Sequence, residues 1–436
     1  MNTLLETGSG ASRRQFLKTS STAVAGAVLT GGLGARAWAA NSDTLKVGLI
    51  GCGGRGTGAA SQALNADKNA VLTAVGDVFK SACESALNAL RHDAAIRERV
   101  RVEPDHIFTG LDNFQKVIDS GVDVVLLASP PGFRPQHLRA AVAAGKHIFC
   151  EKPMATDPPG VRSVMESVRL AREKKLALVA GFCWRYDFAR REFYKRIHDG
   201  ALGEIRAIHA TYLTGPVKPM PPASSRPAGM GDVEWQVRNW YNFVWLCGDG
   251  LVEQACHSVD KILWAMKDVP PARAVATGGR VIPNHEGNIF DHIDVFYEWP
   301  NGARATMAQR QIPNCYSDNS DYLLGEKGTG TIKGGAAPVI RADKAWRYQG
   351  PTNNMYQTEH DELFASIRAG QPINDGDWMT TSTLAAILGR LAAYTGQEVT
   401  WEQALNSQWK LVPDKLTWDM SLPIEPMAVP GKTKLI

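Results

Sequence analysis

Three stretches of this sequence place chemically able side chains at telling spacings. The first is Gly51-Cys52-Gly53-Gly54-Arg55-Gly56, a G-x-G-x-x-G run between the apolar LKVGLI (45–50) and a helix-like segment. The first glycine allows a tight turn, the second lets backbone approach a pyrophosphate, and the third lets helix and strand pack closely. The anion then sits on converging N–H groups at a helix N-terminus. Asp77 closes the next strand-like run, AVLTAVGD (70–77). An acid about 20 residues past the glycines accepts from ribose hydroxyls. It also repels a 2′-phosphate, so NAD is expected, with NADP left open by Arg55 and Lys80 close in sequence. The second stretch, GKHIFCEKPMA (145–155), carries Glu151 and Lys152 where a strand leaves into a loop.

The third is GDGLVEQACHSVDKILWAM (248–266), which reads as one helix with Asp249 as its N-cap. Glu253, His257 and Asp260 are spaced four and three apart, so all three share a face. A carboxylate one turn from a histidine can hold the ring and set which nitrogen carries the proton. His257 is then free to take a proton from a hydroxyl, and histidine starts near pKa ~6.5, suited to a general base.

These residues need a frame. Strand-like runs at 45–51, 70–77, 122–129, 147–153 and 176–183 alternate with helix-like runs, including RPQHLRAAVAAGK (134–146). Several of those strands are nearly continuously apolar, as strands buried on both faces are. The expectation is a doubly wound parallel sheet of the Rossmann type. After about residue 183 longer alternating runs take over (IRAIHATYL, ARAVATGG, HIDVFYEWP, ARATMAQRQ). They predict an α+β second domain with a mostly antiparallel open sheet. The expected domains are 44–183, dinucleotide-binding, and 184–436, for substrate and oligomerisation. GPVKPMPPASSRPAGMG (215–231) reads as an irregular loop over the cleft or at a subunit contact.

The pieces VGLIGCGGRG (47–56), GKHIFCEKPMA (145–155) and GLVEQACHSVD (250–260) together resemble the glucose–fructose oxidoreductase / inositol dehydrogenase / MocA family. The resemblance implies hydride transfer between a nicotinamide cofactor and a secondary hydroxyl of a sugar, polyol or glycoside. It places Lys152 beside the nicotinamide and the reacting hydroxyl, with an ammonium pKa lowered by the cationic ring. It places His257 as the base and Arg185-Tyr186 near cofactor or substrate. The family usually carries aspartate where this chain has Glu253. Ser129, Pro130 and His137 belong to the loop at the carboxyl end of the strand-like run 122–129, where open α/β sheets bind ligands. Asp260, His292 (with Asp291) and Trp240 are candidates for the substrate side; the crowded Trp235, Trp240, Tyr241 and Trp245 serve equally well as sugar-stacking rings or as core. Ten histidines show no metal-ligand spacing, so no metal is expected.

Arg13-Arg14, followed by Gln15-Phe16-Leu17-Lys18, a mild apolar run and Ala37-Trp38-Ala39, reads as a twin-arginine signal over 1–39. That implies export of the folded chain by the twin-arginine machinery to the periplasm or beyond. A folded enzyme sent where no free dinucleotide exists is expected to carry its cofactor tightly bound. The net charge of +4 gives no case for nucleic acid, and no later stretch is apolar enough for a membrane span. Seven scattered cysteines without a CxxC pair argue for small core residues rather than a disulfide framework. A homo-oligomer through the second-domain sheet is expected. Two rivals stand beside the oxidoreductase: a glycosidase using NAD for transient oxidation and elimination, whose loop usually lacks the lysine of EKP, and a non-catalytic nucleotide-binding protein on the same fold.

Overall fold

The computed structural model describes residues 44–282 and 286–436. The signal-like segment 1–39 lies outside these residues.

Six short strands make the first sheet: β1 (Leu45–Ile50), β2 (Ala70–Asp77), β3 (Ile107–Thr109), β4 (Val124–Leu127), β5 (His147–Cys150) and β6 (Leu178–Ala180). They pair in the order β3-β2-β1-β4-β5-β6, all parallel. This is the doubly wound dinucleotide-fold order, with its switch point between β1 and β4. The apolar run 122–129 is a fully buried four-residue strand, as its continuity predicts. Between β1 and the helix Gly54–Ala66 the chain turns at Gly51, whose φ is +95°. A Cβ on Gly51 would lie 2.5 Å from backbone atoms of Ala128 and Ser129, and one on Gly56 would lie 1.9 Å from the Gly51 carbonyl oxygen. Only glycine fits either place.

The second sheet contains β7 (Ile205–Thr214), β8 (Arg273–Gly279), β9 (His292–Glu298), β10 (Arg304–Gln311), β11 (Ser320–Gly325), β12 (Gly328–Lys333), β13 (Val339–Ala342), β14 (Trp346–Arg347) and β15 (Val399–Thr400). Every pairing is antiparallel except β7 with β10. Alternate residues are buried along β9 and β10. One face is covered by the helices Cys256–Ala265 and Gly376–Thr395. The latter also packs on the first-sheet helix Pro158–Glu173. Serving both layers, it is buried nearly all round, which is why it has no polar face.

The stretch 248–266 is not one helix. Gly250–Glu253 forms a single turn, Gln254 and Ala255 interrupt it, and Cys256–Ala265 continues. Asp249 is no N-cap. It sits at φ +89°, and its buried carboxylate accepts from the Phe290 N–H (2.8 Å) and the Tyr394 hydroxyl (2.5 Å). The segment 215–231 is irregular apart from a short 3₁₀ turn at Ala223–Ser225. All seven cysteines are unpaired; six are buried, and Cys315, contrary to the expectation of core thiols, is exposed.

Candidate active site

The carboxyl ends of the first-sheet strands open into two joined chambers. The first, about 470 Å³, is lined by Gly51, Gly53, Gly54, Arg55, Gly56, Asp77, Ser129, Pro130 and His137. The second half of the chain closes it with Lys218, Val237, Arg238 and Trp240. The second, about 310 Å³, is lined by Glu151, Lys152, Trp184, Tyr212, Glu253, Gln254, His257 and Tyr356. Arg55, Ala128, Ser129 and Trp240 belong to both walls and so form the neck between them.

The first chamber fits a dinucleotide. A Cβ on Gly53 or Gly54 would meet nothing within 4 Å, so the backbone there is bare toward the chamber. Asp77 accepts from the N–H of Cys52 (2.8 Å) and of Phe79 (3.0 Å), which fixes the carboxylate and leaves lone pairs free. Burial holds its pKa above the ordinary value. His137 lies between Phe114 and Phe133, with Nδ1 3.1 Å from the Ser129 hydroxyl. Burial, aided by Arg134, lowers it to about 3, so the ring is neutral.

In the second chamber Lys152 Nζ donates to Glu253 Oε1 at 2.9 Å and to the Glu253 carbonyl oxygen. Tyr241 donates its hydroxyl, and Gln254 its amide (2.7 Å), to Glu253 Oε2. Tyr212 in turn donates to Gln254 Oε1 at 2.8 Å. Burial works against both charges, yet the pair wins: Lys152 stands above the ordinary lysine value and Glu253 below the ordinary glutamate value. The direction is opposite to the lowering expected from a cationic nicotinamide ring, because the Glu253 carboxylate outweighs burial at Lys152.

Glu253 does not hold His257. The break at Gln254–Ala255 and the capture of the carboxylate by Lys152 separate them. Buried Nδ1 of His257 has no hydrogen-bond partner, and the ring packs against Phe182 (5.9 Å) and Trp184 (5.1 Å between centroids). Burial first, then Lys152, Lys261, Arg55 and Arg190, hold its pKa well below the usual histidine range.

Four expected residues lie elsewhere. Arg185 lines neither chamber: it forks onto Asp260 (2.8 and 3.0 Å), pairs with Asp268 and lies 4.2 Å over the Trp378 ring. Asp260 is thereby a buried counter-ion, bonded also by the Ser382 hydroxyl (2.7 Å), and lines neither chamber. Tyr186 donates to buried Asp375 at 2.7 Å. The 3₁₀ turn Cys183–Tyr186 is the reason: it aims Trp184 at the chamber and its neighbours inward. His292 is on β9, with Nδ1 2.8 Å from Asp291, and lines neither chamber. Of the crowded aromatics only Trp240 reaches the chambers; Trp235 and Trp245 are core, bonded to Glu286 and Gln236.

Sequence reasoning missed Arg134, Tyr212, Gln254, Tyr356 and Trp184. Trp184 adjoins a residue that was singled out, and Tyr212 sits on an alternating strand; Tyr356 had no local signal. Among the described residues no three His, Cys, Asp or Glu side chains converge as a metal site would require. No helix there is long and apolar enough to cross a membrane.

Two family models match in tandem: "Oxidoreductase family, NAD-binding Rossmann fold" over residues 45–182, and "GFO/IDH/MocA C-terminal domain" over 191–331. The chain belongs to the GFO/IDH/MocA family of oxidoreductases. It is 31% identical to an inositol 2-dehydrogenase of Agrobacterium fabrum over 172 residues, covering 39% of this chain and 46% of that one. It is 22% identical to one of Rhizobium meliloti over 326 residues, covering 74% and 86%. The chain thus spans about half the length of the first relative and most of the second. Among solved structures it shares its fold with levoglucosan dehydrogenase in complex with NADH and levoglucosan (TM-score 0.64, 18% identity, 82% of this chain and 99% of that one). It shares it also with the aldose–aldose oxidoreductase of Caulobacter crescentus (TM-score 0.63, 20%, 82% and 99%).

Proposed function

We propose that this protein oxidises a secondary hydroxyl of a sugar, polyol or glycoside and passes the hydride to a tightly held NAD. The observation that carries the reading is the junction of the chambers: the glycine loop lies on one side of the neck, and Lys152 with His257 on the other. NAD, when bound, supplies hydride acceptance; the chain's residues orient and move the proton. Lys152, kept charged by Glu253, hydrogen-bonds the alcohol oxygen and stabilises negative charge developing on it. Neutral His257 takes the proton. Its depressed pKa makes it a weaker base than a solvated histidine, so the task of acidifying the alcohol falls on the ammonium. Lys152 and Glu253 side chains are only 11% and 8% exposed, which keeps water from screening the pair. Trp184, Tyr212 and Trp240 offer apolar faces to sugar C–H groups. Supporting evidence includes the relatives, which are inositol 2-dehydrogenases.

The test is a panel of sugars, polyols and glycosides added to purified protein while the absorbance of bound nicotinamide is followed. Reduction by at least one hydroxyl compound is expected; none across the classes, with nucleotide present, contradicts the reading.

NAD in preference to NADP rests on Asp77. Asp77→Ser is expected to weaken NAD and improve NADP binding in titrations of nucleotide-free protein. Tighter NADP than NAD in the unmodified protein would overturn this assignment.

Export of the folded protein by the twin-arginine route completes the proposal, resting on Arg13-Arg14 and the motif around them. So does a homo-oligomer through the second sheet. Val275, Phe296, Tyr322 and Leu324 are exposed on its strands, and a hollow of about 670 Å³ lies over Tyr322 and Leu324.

A further inference from the structure

We propose that Arg55 is the retention residue for the dinucleotide: it braces the glycine loop against two distant segments and holds the cofactor with the donors left over. This rests on the NAD reading above. Arg55 Nε donates to Glu151 Oε1, Nη2 to Glu359 Oε1 at 2.9 Å, and Nη1 to Gln62 Oε1 at 3.0 Å. A guanidinium carries five N–H donors in a planar fork, so two remain, one on each terminal nitrogen. The side chain is one-third exposed, and the space it faces is the neck shared by both chambers. A dinucleotide lying from the glycine loop to Lys152 must pass that neck.

The brace has a long reach. Glu151 comes from the exit of β5, beside Lys152. Glu359 is fully buried and lies 304 residues away in sequence, on the helix Met355–Arg368, which packs on the glycine-loop helix. Tyr356 of the same helix stacks on the guanidinium at 5.0 Å. Burying two carboxylates at one arginine is costly to fold stability and is weak evidence for a stabilising role. A purely structural brace would not face both chambers. Its placement suits a clamp: the glycine loop cannot open to release a dinucleotide without parting from Glu359.

The experiment measures release of NADH from pre-loaded protein by the loss of its fluorescence after dilution, with no turnover involved. Arg55→Lys keeps the charge but loses the fork; Glu359→Gln keeps the shape but loses the ion pair. Each is expected to speed release about tenfold or more, the scale of a lost charged hydrogen bond. The double variant is expected to release no faster than Arg55→Lys alone, because both changes cut one bridge. Unchanged release in both single variants, or strictly multiplicative effects, overturns the proposal. Should Arg55→Lys fail to fold, Glu359→Gln alone decides by the same rate. An unmodified protein that binds no NADH at all overturns the NAD reading itself, and this inference with it.

Discussion

Lys152→Met is expected to lower kcat by ~10²–10³, the usual loss when one donor to a developing oxyanion is removed. The change also strands Glu253, whose carboxylate would keep only Tyr241 and Gln254 as donors in a site where its side chain is 8% exposed. Removing one partner of a buried pair costs ~3–5 kcal/mol. The cost should fall at the low end, because the two remaining hydrogen bonds persist and the acid can take up a proton. The Lys152→Met/Glu253→Gln double variant separates the effects. It should recover much of the melting temperature and none of kcat. A double variant that recovers activity along with stability would make Lys152 a structural residue.

The pair also predicts a pH window. Glu253 is depressed in the fold, so its contribution is present above the unfolded value of ~4.3 and is lost as pH falls through the folded one. Lys152 is raised, so its contribution is full below the unfolded value of ~10.4 and is lost as pH rises through the folded one. Denaturation of the unmodified protein should therefore lose stability at both extremes. The double variant should lose less at each.

His257→Ala should cost ~10²–10⁴ in kcat, the range for a lost general base, while nucleotide content stays that of the unmodified protein. His257 is depressed in the fold, so its contribution to stability is present above ~6.5 and declines below it, where the unfolded chain takes a proton that the folded chain refuses. His257→Asn removes that slope. For the same reason the acid limb of the kcat/KM profile should lie below ~6.5. A near-normal kcat in His257→Ala on a true substrate excludes the role.

What could be read from sequence was what local spacing determines. The glycine turn, Asp77 at the strand end, and five of the six parallel strands follow from hydrophobic runs and from steric needs at Gly51 and Gly56; β3, three half-buried residues long, left no such run. Lys152, Glu253 and His257 were legible as candidates, and all three line one chamber. Their connections were not. Helical spacing joined Glu253 to His257, but Lys152, 101 residues away, wins the carboxylate, and nothing in GLVEQACHSVD marks the break at Gln254–Ala255. Arg185 and Tyr186 stood next to the right residue, since one 3₁₀ turn decides whether Trp184 or its neighbours face the site. Asp260 looked like a third member of a catalytic face because its partner, Arg185, lies 75 residues away in sequence. Tyr356 and Glu359 meet Arg55 through tertiary packing alone.

The central claim is that hydride moves between a hydroxyl and a nicotinamide held captive in the neck between the chambers. The most direct measurement takes protein purified and dialysed without added nucleotide, extracts it for chromatographic nucleotide analysis, and records the spectrum of a parallel sample on adding the active hydroxyl compound. The account predicts close to one nicotinamide dinucleotide per chain, reduced in place by that compound, and catalysis with a hydride acceptor without net change in free NAD. Nucleotide-free protein that turns over only while NAD is supplied, releasing NADH in proportion to product, would contradict it.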